Sequence, residues 1–388
     1  MDIKQTVREH EEELIALRRD FHRYPELGLQ EYRTAQIVED YLKNLGLSVR
    51  RCAGTGVIGV LNGDLPGKTV LLRCDIDALP VEELTKLPFA SKNSGVMHAC
   101  GHDGHTAMLL VAAKILSRMK ENLMGTVVFL FQLNEEDAGA ELMIEDGALE
   151  NPRPEAVFGM HLWSPIKSGI IGIVPGPIMA SSYYFKLTIK GKGGHGGAPH
   201  TAINPIDAAA HVLSAIKTMK TLELDACLPT VISVCKIHSG TKEIIVPEIL
   251  EMEGSIRCLH DKDALVRQRF EELVAAVCRA YRCQCSVEFK CGNTLLNNDA
   301  DLTEVIKEVA KEVVGVEKIK THGVSVMLGD DFAEFSKRVP GAYYFLGVAD
   351  EKKKTNIEHH SPYFDIDEDV LPLGVEMHVR STLKFLNS

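Results

Sequence analysis

Four short apolar runs, separated by segments of helical character, constrain the fold of this chain most strongly. They are TVLLRCDID (69–77), TVVFLFQLN (126–134), AVFGMHLW (156–163) and AYYFLGV (342–348). Runs of this length and composition are typical of strands that are buried on both faces, as in parallel sheets. Helical patterns at 106–120 and 140–149 lie between them. The sequence therefore predicts an α/β domain with a largely parallel central sheet.

A second part of the chain, 181–296, has a different order of predicted elements. A strand in YYFKLTIKG precedes a helix in NPIDAAAHVLSAIKTM, and strands in TVISVCKIHSG and ILEMEGSIRCL follow. A helix in DALVRQRFEELVAAVCRAY and a strand in QCSVEFKCG complete the series. This βαββαβ order is typical of a ferredoxin-like domain. We therefore predict a small domain at 181–296, inserted into a larger one formed by 1–180 and 297–388.

Length and charge restrict the classes of protein to which the chain can belong. Its 388 residues favour two domains. Its formal net charge of −11 argues against a nucleic-acid partner, because few cations remain to neutralise phosphates. The first segment, MDIKQTVREHEEELIALRRDF, predicts one charged amphipathic helix without the apolar centre of a signal peptide. No run reaches the roughly 18 apolar residues of a membrane span, so we expect a cytoplasmic protein with no membrane partner.

The cysteines of such a protein are expected to be free thiols or metal ligands rather than disulfides. The chain has ten, and Cys283, Cys285 and Cys291 form a C-x-C pair with a third cysteine nearby. Their spacing matches no standard zinc site. Buried free thiols are the better explanation.

Two glycine-rich stretches resemble phosphate-binding loops without meeting the requirements of such loops. GTGVIG (54–59) matches G-x-G-x-x-G, but strand-like residues follow it where the dinucleotide motif needs a helix. GDLPGKT (63–69) has three residues between its glycines, one fewer than a P-loop. A Pro-Gly turn between two strands explains this second stretch better.

Polar side chains follow the predicted strands where those strands end. Asp75 and Asp77 end the first strand, Glu135 and Glu136 follow the second, and His161 lies near the end of the third. Ligands of open α/β sheets bind at the carboxyl ends of the strands, so we expect these side chains to converge. The loop MHACGHDGH (97–105), which leads into a helix, adds one cysteine and three histidines.

Cysteine, histidine and carboxylate together form the ligand set of a divalent transition-metal site. Two adjacent glutamates can have different roles there, since one can bind metal while the other takes a proton from a metal-bound water. Any one of these residues alone is more often a solvated carboxylate or a hydrogen-bonded histidine. The prediction of a metal site therefore depends on their occurring together.

Eight segments, distributed over nearly the whole chain, carry a resemblance to a known family. They are RRDFHRYPELGLQEYRTA, RCDIDALPVEE, MHACGHDGHTAMLL, FQLNEEDAGAELMIEDGAL, GMHLW, GKGGHGGAPHTAINPIDAAA, GDDFAEF and HHSPYFDIDED. In this order they resemble the amidohydrolase family of co-catalytic metallopeptidases, which includes aminoacylases, hippurate hydrolase, indole-acetyl-amino-acid hydrolases and N-acetyl-diaminopimelate deacetylase. The resemblance implies metal-dependent hydrolysis of N-acyl amino acids with an N-acetyl or aromatic acyl group. It also makes 181–296 a lid and dimerisation domain and the larger domain the catalytic one.

The resemblance implies a role for each matching residue. The metal ligands would be Cys100, His102, Glu136, His161 and His360, with the thiolate between two cations. Glu135 would be the general base. In the inserted domain, His195 would reach the active site of a partner subunit and stabilise the oxyanion, and Arg257 would bind the substrate carboxylate.

The implied cofactor is a pair of divalent ions per subunit, Mn²⁺ or Zn²⁺, with Co²⁺ or Ni²⁺ as alternatives. The implied assembly is a homodimer or a dimer-based oligomer, and the implied partner is a small-molecule N-acyl amino acid.

Several further residues receive an interpretation at this stage. Asp77 is predicted to orient a metal ligand through a hydrogen bond, His105 to have a supporting role, and His22 to be structural, because no ligand lies near it in sequence. Two positions depart from the family pattern: Ile244 stands where the lid usually carries Asn, and Asp330 replaces Glu in an EDF motif. Neither departure changes the metal ligands.

Three alternatives to the N-acyl amino acid hydrolase stay open. A dipeptidase or carboxypeptidase would use the same dinuclear site. A thiol hydrolase would use Cys100 as its nucleophile, with His102 or His105 as the base, and would keep its activity after metal removal. A binding module without catalysis would keep its function after the substitution Glu135→Gln.

Overall fold

The chain forms two compact units, each with its own hydrophobic core, in a computed structural model that describes residues 2–388. The first unit comprises Met1–Ile178, Asn297–Ser325 and Asp330–Ser388. The second comprises Met179–Leu296 and Val326–Gly329.

The helices and strands are numbered in chain order. The helices are α1 (Ile3–Glu9), α2 (Glu11–Arg23), α3 (Tyr32–Asn44), α4 (His102–Ser117), α5 (Ala140–Glu145), α6 (Pro205–Thr218), α7 (Asp263–Ala280), α8 (Ala300–Val314), α9 (Phe332–Ser336) and α10 (Leu371–Leu386). The strands are β1 (Ser48–Cys52), β2 (Gly56–Asn62), β3 (Leu65–Asp75), β4 (Met124–Gln132), β5 (Ala156–Lys167), β6 (Ile171–Gly172), β7 (Gly176–Met179), β8 (Ser181–Lys190), β9 (Gly194–His195), β10 (Thr230–Ser239), β11 (Ile245–Val246), β12 (Ile249–Cys258), β13 (Gln284–Cys291), β14 (Leu296–Asn298), β15 (Ile319–Lys320) and β16 (Gly341–Ala349).

The first unit is built on an eight-stranded sheet in the order β1-β2-β4-β3-β5-β16-β6-β15. Its four central strands, β4, β3, β5 and β16, are parallel to one another and correspond to the four apolar runs. Antiparallel pairs occur toward the edges, at β1-β2, β2-β4 and β16-β6. Helix α4 is buried around almost its whole circumference and packs on β3 and α10, as expected of a helix inside a core. The prediction of a largely parallel central sheet is therefore confirmed.

Two local predictions for this unit are wrong. The predicted single N-terminal helix is two helices, α1 and α2, which meet at His10. The predicted Pro-Gly turn does not join two strands, because 66–67 already belongs to β3 and the chain turns at 63–64. The pairing of β3 with β4 shifts register between Leu65 and Thr69. This irregularity accommodates the proline, which has no N–H to contribute to a regular ladder.

The second unit has the βαββαβ order β8, α6, β10, β12, α7, β13. Its strands form an antiparallel sheet in the order β10-β12-β8-β13. Alternate residues of β8, namely Phe185, Leu187 and Ile189, are buried in one core with residues of α6 and α7. This period of two is the pattern of a sheet with helices on a single face. The predicted ferredoxin-like fold class is confirmed for this unit.

The cysteines are free thiols throughout the described chain. Cys283 is buried, Cys285 is half-buried and Cys291 is exposed. The expectation of buried thiols is therefore wrong for Cys291, which ends β13 at the edge of its sheet. Across residues 2–388, none of the side-chain groups close enough to hold a metal ion includes these three cysteines.

No helix within residues 2–388 combines the length and the apolar character that crossing a membrane requires.

Candidate metal centre

The parallel strands of the first unit bring the predicted polar residues to one edge of the central sheet. Asp75 is the last residue of β3, and Glu135 and Glu136 follow β4 in a 3₁₀ turn, Glu135–Asp137. His161 lies in β5, paired with Phe345 of β16. Because β3, β4 and β5 run in the same direction, the residues that follow them lie at the same edge.

The turn before α4 presents two of the predicted ligands, Cys100 and His102, on either side of Gly101. Gly101 caps the helix with a φ of +94°, a conformation that glycine adopts without the steric cost of a Cβ atom. The Sγ atom of Cys100 lies 3.5 Å from Nε2 of His161. The turn therefore brings a thiol and an imidazole to the strand that carries His161.

The two buried imidazoles, His102 and His161, both direct Nδ1 toward an acceptor. Nδ1 of His102 lies 3.0 Å from the carbonyl oxygen of Asp77 and 3.2 Å from its Oδ1. Nδ1 of His161 lies 2.7 Å from the carbonyl oxygen of Leu162. Nδ1 therefore carries a proton in each ring and donates it, and Nε2 is the nitrogen that can coordinate a cation. Metal-bound histidines have this arrangement.

The loop that carries the two glutamates is held in a strained conformation. Asn134 and Ala138, which flank the 3₁₀ turn, have φ values of +50° and +63°. Such conformations are costly for residues other than glycine and cluster at functional sites. The amide of Glu136 donates to Oδ2 of Asp77 at 3.1 Å. Asp77 therefore joins the glutamate loop to His102.

His360 approaches the cluster from the far end of the chain. Its Nε2 lies 3.3 Å from Oε1 of Glu136, and its amide donates to the carbonyl oxygen of Ala99 at 2.8 Å. Its φ is +65°, a third strained position at this site. The backbone contact fixes His360 next to the turn that carries Cys100.

The donor atoms of the five predicted ligands and of Glu135 form overlapping groups. Within each group the atoms lie within 4.8 Å of one another, and the groups are Cys100–His102–His161, Cys100–Glu136–His360 and His102–Glu135–Glu136. In the part of the chain that the structure describes, Nε2 of His102 and Oε1 of Glu136 are buried without a hydrogen-bond partner. Such an atom costs about 1–3 kcal/mol, and a cation would satisfy both. Thiolate, imidazole and carboxylate donors fit divalent transition metals.

The electrostatics of the cluster indicate the same need for positive charge. Burial and the carboxylates of Asp330 and Glu136 raise the pKa of Glu135 well above its usual range. Burial and the two neighbouring glutamates raise the pKa of the Cys100 thiol. Burial alone would lower the pKa of His102, yet nearby carboxylates raise it to about 10. The protein groups alone therefore leave an excess of negative charge here.

His105 lies beside the cluster with both ring nitrogens already bonded. Nδ1 donates to Oδ1 of Asp75 at 2.6 Å, and Nε2 accepts from the amide of Leu162 at 2.9 Å. No lone pair is left for a metal ion. The ring instead links the end of β3 to β5 next to His161, in keeping with our interpretation of a supporting role.

Sequence reasoning missed a buried charge cluster around Arg73, in the middle of an apolar run. The guanidinium group donates to Asp75 at 2.8 Å, to Asp331 at 3.1 Å and to Oε1 of Gln132 at 2.8 Å, and lies 3.2 Å from Asp330. The arginine inside the buried strand TVLLRCD indicates such a cluster, because a buried guanidinium group requires carboxylate partners.

Asp331 extends this cluster to the glutamate loop. Its Oδ2 accepts from the amide of Ala140 at 2.8 Å and from Nε2 of Gln132 at 2.8 Å. The cluster therefore ties the end of β4 and the start of α5 to Arg73, on both sides of Glu135.

We expect Arg73→Met to lower the free energy of unfolding by about 3–5 kcal/mol, because it leaves three buried carboxylates without their cation. Urea unfolding measures this change. Lys120→Met is the matched control, since Lys120 pairs with Asp64 at 3.1 Å while both side chains are about half exposed. That variant should lose less than about 1 kcal/mol. Equal losses in the two variants would contradict the role of the buried cluster.

Two predicted substrate-binding residues belong to the second unit. His195 is exposed in β9, and its Nδ1 accepts from the amide of Gly197 at 2.9 Å, which places the ring proton on Nε2. Arg257 is half-buried in β12 and donates to the carbonyl oxygen of Met327 at 3.1 Å. Ile244 is 49% exposed. The roles of these residues stay predictions.

The chain matches a known protein family over most of its length. Residues 71–384 match the model of peptidase family M20/M25/M40. Thermostable carboxypeptidase 1 of Saccharolobus solfataricus is 41% identical, over 99% of this chain and 98% of the relative. N-acetyl-L-cysteine deacetylase of Bacillus subtilis is 35% identical, over 97% of this chain and 89% of the relative.

A solved structure from Bacillus subtilis, described as a dinuclear metal-binding peptidase of the M20 family, has the same fold. The TM-score is 0.85 and the sequences are 31% identical. The alignment covers 98% of this chain and 99% of that one.

Proposed function

Because the chain belongs to peptidase family M20/M25/M40, we propose that it hydrolyses the amide bond of N-acyl amino acids at a dinuclear metal centre. Family membership makes it a metal-dependent amidohydrolase or peptidase, and the proposal concerns the substrate class and the residues. One observation carries it: the donor atoms of Cys100, His102, Glu136, His161 and His360 form groups within 4.8 Å, with Glu135 beside them.

The proposed ligands of the two ions are these five residues. Their thiolate and imidazole donors suit Zn²⁺ or Mn²⁺, with Co²⁺ and Ni²⁺ as alternatives. When bound, two divalent cations polarise the scissile carbonyl group and lower the pKa of a coordinated water. Asp77 would keep the proton of His102 on Nδ1, since its oxygens lie 3.0 and 3.2 Å away.

Glu135 is the proposed general base. Its Oε2 lies 3.8 Å from Nε2 of His102, and its side chain is 10% exposed. In its ionised form Glu135 would accept a proton from the attacking water and donate it to the leaving nitrogen. The bonds from Gln132 and the amide of Ala140 to Asp331 would hold the loop that carries Glu135 in place.

Two residues of the second unit would complete the site. His195 carries its proton on Nε2 and is exposed, so it could donate to an oxyanion in a partner subunit, an interaction typically worth about 3–4 kcal/mol. Arg257 would bind the substrate carboxylate. This arrangement requires a homodimer or a dimer-based oligomer, and light scattering that finds only monomer would contradict it.

The relatives support a substrate with a free carboxylate next to the cleaved amide. A carboxypeptidase and an N-acetyl-amino-acid deacetylase both release an amino acid whose nitrogen was acylated and whose carboxylate was free. The second candidate function, a carboxypeptidase, is favoured by the 41% identity to the Saccharolobus protein. The two candidates differ in the acyl side, which is a simple acid in one and a peptide in the other.

A substrate panel separates the candidates. The metal-stripped protein is loaded with Mn²⁺, Zn²⁺, Co²⁺ or Ni²⁺ and assayed on N-acetyl and N-benzoyl amino acids, amino-blocked dipeptides and free dipeptides. We expect kcat/KM for the best N-acyl amino acid to exceed that for the dipeptides by about 10-fold or more. The N-acyl amino acid amides, which lack the carboxylate, are the control and should be poor substrates. Preference for blocked dipeptides would instead establish the carboxypeptidase.

The thiol-hydrolase alternative conflicts with the environment of Cys100. A nucleophilic cysteine needs a lowered pKa, whereas burial and the carboxylates of Glu136 and Glu135 raise the pKa of this thiol. A bound cation, in contrast, would deprotonate it. In the same panel, chelator treatment should therefore abolish turnover, and metal addition should restore it.

A further inference from the structure

Arg18 of α2 is a fully buried cation outside the ligand set. Its side chain is 1% exposed. Nε donates to Oδ2 of Asp103 at 2.8 Å, Nη1 to Oε1 of Glu368 at 3.0 Å, and Nη2 to Oδ1 of Asp365 at 2.8 Å. One guanidinium group thus bonds three carboxylates from two segments that lie far apart in the sequence.

These carboxylates lie next to both ends of the ligand set. Asp103 follows His102 directly, in the first turn of α4. Asp365 and Glu368 come shortly after His360 in HHSPYFDIDED. Arg18 therefore connects the turn that presents His102 with the segment that presents His360.

His22, one helical turn after Arg18, adds to the same network. Its Nδ1 donates to Oδ2 of Asp103 at 2.8 Å, and its Nε2 lies 3.3 Å from Oε1 of Glu83. Although burial and Arg18 lower its pKa, Asp103 and Glu83 raise it above the usual value. Oδ2 of Asp103 therefore accepts from both Arg18 and His22, which fixes its position more tightly than one donor would.

A buried ion network of this kind is a weak way to gain stability. Replacing buried ion pairs by apolar side chains of similar volume is often neutral or stabilising. The planar guanidinium group of an arginine forms directional hydrogen bonds at fixed angles, which apolar packing cannot provide. The network is therefore better explained by the positioning of the segments it connects than by a contribution to folding stability.

We propose that Arg18 is a positioning residue of the metal centre, holding the Cys100–His102 turn against the segment that carries His360. This inference rests on the proposed ligand set but not on the proposed substrate. Nε2 of His102 and Nε2 of His360 must both approach the glutamate side of the site, since they lie 3.8 Å from Glu135 and 3.3 Å from Glu136. Arg18 sets the separation of the two segments that bear them.

The test measures the binding of Mn²⁺ and Zn²⁺ alone, without substrate, in the full-length protein. Trp163 is the one tryptophan of the sequence, and its ring centroid lies 5.3 Å from that of His161 and 4.7 Å from that of His359. Its fluorescence therefore reports on occupancy of the site. Calorimetric titration of the same samples provides a second, independent affinity.

Arg18→Lys keeps the positive charge but loses the planar guanidinium group and its fixed set of donors. We expect it to weaken the binding of at least one ion by about 10–100-fold, the usual loss when a residue that orients a metal ligand is changed. The matched control is Arg19→Lys. Arg19 donates to the same Glu368 at 2.6 Å but is 46% exposed, and we expect its loss to change affinity by less than about 3-fold.

A second variant keeps the inference testable if Arg18→Lys does not fold. Asp365→Asn removes one of the three charge-assisted bonds at a position that is 19% exposed. It should weaken metal binding in a protein that still folds without metal. Wild-type metal affinity in a folded Arg18→Lys or Asp365→Asn protein would overturn the inference. Failure of the substrate panel would not, since no step of this test involves turnover.

Discussion

Glu135→Gln should lower kcat by about 10³-fold, within the range for loss of a general acid–base group, while both metal ions stay bound. Gln has the same shape as Glu but cannot accept the proton of the attacking water. The carboxylate of Glu135 lies beside the proposed ligands, with Oε2 3.8 Å from Nε2 of His102. Steady-state kinetics on the best N-acyl amino acid, together with the metal content of the dialysed protein, measure both parts of this prediction.

The adjacent residue provides the matched control. In Glu136→Gln, a proposed ligand is replaced, so metal affinity should fall and added metal should restore part of the activity. If Glu135→Gln instead lost metal affinity, and Glu136→Gln kept both ions but lost turnover, the roles of ligand and general base would be exchanged between the two residues. A fully active Glu135→Gln protein would remove the general base from the mechanism. A protein whose function does not depend on turnover would keep that function in Glu135→Gln.

Cys100→Ser should reduce metal affinity by more than about 100-fold and reduce turnover with it. A direct ligand should cost more than the 10–100-fold that an orienting residue costs, and a hydroxyl group is a poor replacement for the thiolate. Metal content after dialysis and a Trp163 fluorescence titration measure the loss. Cys52→Ser is the control, because this buried thiol lies 3.5 Å from the carbonyl oxygen of Met143 and is not part of the cluster.

The outcome that would contradict this prediction is specific. If Cys100→Ser kept two ions with wild-type affinity but lost all turnover, and if wild-type activity also survived chelation, Cys100 would be a nucleophile. The thiol hydrolase would then replace the metal mechanism.

Much of the fold and part of the site could be predicted from the sequence, because local patterns encode them. The buried strands follow from continuous apolar runs, and parallel pairing then places Glu135, Glu136 and His161 at one edge of the sheet. Nothing local places His360 there. It follows no apolar strand directly, and its approach depends on a backbone bond to Ala99. Its position was therefore implied by the family resemblance alone.

The contacts that sequence reasoning missed are those between distant segments. The sequence predicts a structural role for His22 and names no partner for it, whereas its ring bonds Asp103, 81 positions further along the chain. Arg18 reaches Glu368 over 350 positions. Helical periodicity shows which face of α2 is buried, but not which carboxylates meet that face.

The central claim is that Cys100, His102, Glu136, His161 and His360 bind two divalent cations in each chain. Anomalous diffraction from crystals of the wild-type protein grown with Zn²⁺ or Mn²⁺ tests it most directly. We predict two anomalous peaks within bonding distance of these side chains, about 2.3 Å from a sulfur and about 2.1 Å from a nitrogen for zinc. A single peak, or peaks bound by other residues, would contradict the account.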